Sequence, residues 1–159
     1  MNIPAIVGWT AGKLPRGLRA RASPERLLIA EEFTRFGLVG LVGFFVDTGV
    51  VYALRHNFGL YGAALISYVA AASVTWILNR NWTFKGRGSG QIHRQWALFL
   101  VANLGGFVLN RGVYALLVTF VALCARQPVI AITAGMLVAM TSNFMLSRNL
   151  VFGPAETSG

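Results

Sequence analysis

Acidic residues are scarce in this chain. Among 159 residues, 5 are Asp or Glu and 14 are Lys or Arg, and charged residues make up only 12%. A soluble domain carries about a quarter charged residues, so an ordinary soluble fold is excluded by what is missing. Four of the acids, Glu25, Glu31, Glu32 and Glu156, lie outside the apolar runs, which leaves Asp47 as the one acid within them. No paired-carboxylate or Ser/His/Asp arrangement is visible, and His56 and His93 read as solvated loop residues. The single cysteine, Cys124, cannot close an intrachain disulfide and has no neighbouring His or Cys for a metal. It reads as a small apolar residue near a helix end. No catalytic residue, metal ligand or cofactor is assigned. The net charge of +9 raises the question of nucleic acid. The basic residues, however, fall in short segments between apolar runs, with no polar domain to carry a binding face. No nucleic-acid partner is expected.

What the chain does have is apolar length. Hydrophobic residues are 55% of it and the mean hydropathy is +0.60. A membrane helix needs about 20 mostly apolar residues. Four runs qualify: 36–54, interrupted by Asp47; 61–78; 97–123, which contains Arg111; and 129–146. Helices buried in a soluble core would show a polar outer face, and these show none. Lys and Arg concentrate ahead of the first run (Lys13, Arg16, Arg19, Arg21, Arg26, Arg35), between the second and third (Arg80, Lys85, Arg87, Arg94) and in the tail (Arg148). The other two loops hold only Arg55 and Arg126. The positive-inside rule then makes both termini and the middle loop cytoplasmic. The expected class is an all-α membrane protein in which 36–152 forms a four-helix membrane domain. It is preceded by a basic cytoplasmic extension over 1–23, which does not read as a cleaved signal peptide, and followed by a tail over 153–159. Ser23-Pro24-Glu25 reads as a helix start. The segment 24–35 is expected to lie at the membrane surface as an amphipathic helix before turning into the first span.

The chain also repeats itself. A shift of 63 residues aligns the first and third runs: Phe36 with Phe99, Gly43 with Gly106, Asp47 with Asn110. A shift of 68 aligns the second and fourth: Ala63, Ser67, Ala71 and Thr75 with Ala131, Gly135, Ala139 and Asn143. Residues four apart share a helix face, and a small-residue stripe lets helices approach closely in lipid. The phrases "ILNRNWTF" (77–84) and "MLSRNLVF" (145–152) close the two copies. Each copy is a hairpin with an even number of spans, so both share one orientation, a parallel repeat.

"RFGLVGLVGFFVDTGVVYAL" (35–54), "ILNRNWTF" and "SNFMLSRNLVF" (142–152), taken in order, resemble the GtrA family of small bacterial membrane proteins. The first copy departs by having Thr75-Trp76 where the second has Asn143-Phe144, and Ser147 stands for the usual Asn of the second ending. The resemblance implies a multi-pass protein of the bacterial inner membrane without enzymatic activity of its own. The function it implies is the movement of polyprenyl phosphate, or polyprenyl-phosphate-linked sugar, across that membrane for cell-envelope polysaccharide synthesis or glycosylation. The alternative it allows is an accessory protein that recruits envelope glycosyltransferases.

Arginine suits an anionic lipid headgroup, because its planar fork gives paired charge-assisted hydrogen bonds. Arg80 and Arg148 are therefore candidate substrate-binding residues. Asn79, Asn81, Asn143 and Asn149 are candidate polar neighbours, and Trp82 a stacking or headgroup-level residue. The alternative for the arginines and Trp82 is that they are ordinary interface anchors. Asp47 lies about 16 Å along its helix from Phe36, close to mid-membrane, and Arg111 lies at matching depth. An unpaired charge there costs about 2.5–3.5 kcal/mol on insertion scales. The expectation is an Asp47–Arg111 pair flanked by Asn110, either structural or a station for a polar cargo. Asn103, two turns from Asn110, would extend a polar path. A small multidrug exporter is a third class, in which Asp47 would have to replace a membrane Glu. Four helices enclose little volume, so a homo-oligomer, most simply a two-fold dimer, is expected among membrane lipids.

Overall fold

The computed structural model describes residues 23–87 and 91–153. The expectations for nearly all of the basic extension and the C-terminal tail lie outside the described residues. Helix α1 spans Pro24–Leu78. It starts as the sequence signals: Ser23 caps it, accepting from the Arg26 N–H at 3.4 Å, with Pro24 in the first turn. No break separates 24–35 from the first apolar run, since the one non-helical residue inside α1 is Gly59 (φ 67, ψ 174). That backbone region is essentially open to glycine alone. At Gly59 the chain turns back on itself. The limbs 24–58 and 60–78 run side by side in opposite directions, as Ser67 against Asp47 and Thr75 against Gly43 show.

Limb 60–78 passes into a π turn, π1 (Asn79–Thr83). Helix α2 (Ile92–Phe120) follows, and takes in His93 and Trp96, which the apolar pattern assigns to the loop. It stops three residues short of the expected end, because Val121 is extended (φ −116, ψ 106). A short α3 (Ala122–Arg126) then leads to α4 (Pro128–Leu146), which opens on proline and packs chiefly against α2. A second π turn, π2 (Ser147–Val151), ends it. Among the described residues, three helical stretches are long and apolar enough to cross a membrane: Pro24–Thr83, Ile92–Phe120 and Pro128–Val151. Large apolar side chains such as Phe45, Leu65 and Phe120 face outward, as hydrocarbon surroundings allow. The molecule is a multi-pass membrane protein.

The interior holds small residues and one aromatic cluster. Ala63 and Ser67 on α1 and Ala131, Gly135 and Ala139 on α4 are buried where the helices meet. Asn110 and Gly135 approach so closely that a Cβ on Gly135 would stand 2.7 Å from the Asn110 carbonyl oxygen. Gly106 leaves room in the same way for the Asn143 amide. At one end Phe36, Phe84, Phe99, Phe144 and Phe152 close together, with Phe84 and Phe152 stacked at 4.8 Å.

Candidate functional site

The two repeated phrases form the two π turns. In each, a Phe N–H reaches five residues back: Phe84 to the Asn79 carbonyl and Phe152 to the Ser147 carbonyl, both at 2.8 Å. In an α-helix residues five apart point about 140° apart. The wider turn draws them to one side, so Asn79 with Phe84, and Ser147 with Phe152, are all buried. Arg80, Arg148, Asn81 and Asn149 turn away from that side, and Asn81, Asn149 and Trp82 are exposed. Such turns are rare and often mark functional sites.

Around the turns lies a polar network. The Glu32 carboxylate accepts from Arg148 Nε and from an Arg87 guanidinium nitrogen, each at 2.7 Å. Arg80 donates to the side-chain oxygen of Gln95, whose amide donates to the Val151 carbonyl at 3.1 Å. Arg35 pairs with Glu31 and donates to the Trp82 carbonyl at 3.3 Å. Gln95 and Glu32 are related by the 63-residue shift. The arginine of each repeated phrase thus reaches into the other half of the chain, one to a carboxylate and the other to a neutral amide.

Between both limbs of α1, α2 and α4 a cavity of about 630 Å³ opens, with Phe36 and Phe99 of the aromatic cluster on its wall. Its polar lining is Asp47, Tyr68, Thr75, Asn79, Asn103, Asn110 and Asn143. Ser67 Oγ donates to Asp47 Oδ1 at 2.6 Å, and the Tyr68 hydroxyl donates to the Leu100 carbonyl at 2.6 Å. The side-chain oxygens of Asn79 and Asn143 are buried with no partner.

A family model described as GtrA/DPMS, transmembrane domain, matches residues 35–152. The chain belongs to this family. GtrA/DPMS transmembrane domains are typically non-catalytic and are associated with the handling of membrane glycosyl lipids. No curated protein matches the chain.

The expected site residues of this GtrA/DPMS domain divide in two. Asp47, Asn79, Asn110 and Asn143 meet in the cavity, together with Asn103. Arg80, Asn81 and Trp82 belong to π1 instead, and Arg148 and Asn149 to π2. The expected Asp47–Arg111 pair does not form. Asp47 bonds to Ser67, while Arg111 lies on the exposed side of α2 with its guanidinium 5.5 Å from the Phe107 ring centre. The physical reason is the helix period: Asn110 takes the inward position matching Asp47, and its neighbour is rotated away by about 100°. Sequence reasoning missed Glu32 and Gln95. The signal was available, because the 63-residue shift extended one turn before Phe36 and Phe99 pairs them.

Proposed function

We propose that the chain moves polyprenyl-phosphate-linked sugar, or the polyprenyl phosphate carrier, across the bacterial inner membrane for envelope polysaccharide synthesis or glycosylation. The observation that carries this reading is the cavity, mostly apolar but with Asp47, Tyr68, Thr75 and four asparagines on its wall, between helices whose outer faces are apolar. Polar side chains at membrane depth mark substrate pathways, and a polar headgroup needs such a lining to pass hydrocarbon. In this reading Gly59 separates two spans, so four cross the membrane as two hairpins of one orientation, with both termini cytoplasmic. Matching contacts support the repeat: Gly43 against Thr75 corresponds to Gly106 against Asn143, and Asp47 against Ser67 to Asn110 against Gly135.

The arginine-bearing end first holds the phosphate, with Trp82, Asn81 and Asn149 at headgroup level. Arg80 is the better anion ligand. Its partner Gln95 is neutral, whereas Arg148 is bound to the Glu32 carboxylate, which it shares with Arg87. Phe84 packs on Phe36 and Phe152 on Phe99, both on the cavity wall, and in this reading that cluster must part for the head to enter.

The test is transport of labelled polyprenyl-phosphate sugar in proteoliposomes holding this chain alone. Wild type should move it. Gln95→Glu copies the Glu32 arrangement onto Arg80 and should slow movement about tenfold, the effect of roughly 1.4 kcal/mol, with expression unchanged. Wild-type protein that moves nothing would sink the translocase reading and favour the accessory protein.

A further inference from the structure

We infer that the cavity is a site for an organic ammonium, so that the sugar of the cargo is an amino sugar with a free amine. This rests on the translocation reading above and deepens it by naming the class of head.

Hydrogen bonding alone selects no head here. The amides of Asn79, Asn103, Asn110 and Asn143 bring donors as well as acceptors to the wall. Charge is more selective. Among the described residues, Asp47 is the one charged side chain that lines the cavity. Limb 24–58 of α1 brings only Asp47, limb 60–78 brings only the phenol of Tyr68, and α2 and α4 bring no titratable or charged group. The basic residue expected beside Asp47, Arg111, lies on the exposed side of α2 instead. None of the ion pairs among the described residues includes Asp47. Ser67 Oγ donates to its Oδ1 at 2.6 Å. Its Oδ2 has no bond and, unlike the side-chain oxygens of Asn79 and Asn143, is not sealed in the packing. A lone acid at membrane depth marks a path for an ion or a substrate, and surroundings of low dielectric strengthen its attraction for a cation.

The rest of the wall suits the same ligand. Phe36, Phe44 and Phe99 line it, and aromatic faces attract ammonium groups. Phe44 precedes Asp47 by three residues, so ring and carboxylate share a helix face. The volume of about 630 Å³ lies within the range of about 300–1,000 Å³ typical of small-molecule sites. The repeat makes the site single, because Asn110 stands where a second acid would be. One carboxylate answers one ammonium.

The same position supplies the decisive variant. Asp47→Asn copies Asn110, keeps the size of the side chain and still accepts from Ser67. The experiment is isothermal titration of the full chain in nanodiscs of zwitterionic lipid, with empty discs as blank. The probes are hexyl glucosaminide, hexyl N-acetylglucosaminide and hexyl glucoside, which share a ring and differ in the ammonium. Wild type should bind the glucosaminide at least about tenfold more tightly than either neutral glycoside, the gain of one bond between charged groups. Asp47→Asn should erase that preference, and Asp47→Glu, which keeps the charge, should retain it. Three glycosides bound alike by wild type, or a preference that survives Asp47→Asn, would overturn the assignment. Loss of the preference in both variants would reduce Asp47 to a structural part and overturn it too. Ammonium preference without lipid movement by wild type would leave this inference standing and remove the translocase. Equal movement of polyprenyl-phosphate glucose and polyprenyl-phosphate glucosamine would remove the inference alone.

Discussion

Glu32 serves two arginines with one carboxylate. It is 5% exposed and holds Arg87 and Arg148 together. Deleting one member of a buried ion pair costs about 3–5 kcal/mol, and the partial exposure of both arginines lowers this to roughly 1–3 kcal/mol. Glu32→Ala should accordingly lower thermal stability in detergent sharply. Glu32→Gln should lower it less, because Gln95 already serves Arg80 in that chemistry. Equal melting temperatures for the two variants would contradict the assignment. At this scale the sequence was only half legible. Asp47 and the asparagines announced themselves by being polar within apolar runs. Glu32 and Gln95 did not, because they precede those runs and pattern reading treats that region as loop or surface. The partners of Arg80 and Arg148 were hidden for the same reason.

The helices themselves were largely readable, since hydrophobic length fixes them. Ser23-Pro24 marked the start of α1, and Gly59 falls in the gap between the first two apolar runs. Two features were out of reach. Nothing in periodicity distinguishes a π turn from the last turn of an α-helix, although the repeated wording marked its position. The end of α2 was also unreadable, because Val121 and Leu123 are as apolar as the helix before them. The small-residue seams carry a prediction of their own. At Gly135 a Cβ would meet the Asn110 backbone, whereas at Gly112 it meets open space. Gly112→Ala should stabilise by about 1 kcal/mol, the helix propensity gain. Gly135→Ala should instead destabilise, since backbone must shift to admit the methyl, with typical overpacking costs of about 1–3 kcal/mol. Thermal melts of both proteins in one detergent decide the point.

At the scale of the whole molecule, contacts between the halves of the chain dominate the arginine-bearing end. Arg80 bonds to Gln95, Arg148 to Glu32, and Phe84 stacks on Phe152. Chains cut between residues 88 and 90 and co-expressed as two pieces should therefore reassemble. Co-purification of the untagged piece with the tagged one would show it. Glu32→Ala combined with Phe84→Ala should reduce recovery of the complex several-fold, and two pieces that never associate would refute the interlocked arrangement.

The crossing of these contacts has a consequence for inheritance. Arg80 and Gln95 sit in opposite halves, as do Arg148 and Glu32. A change on one side of either bond must be answered across the middle of the chain, not within its own hairpin. The two halves are thus bound to drift in step. They nevertheless diverge at the one position where the partner is a carboxylate in one copy and an amide in the other, and that divergence is what leaves Arg80 its charge.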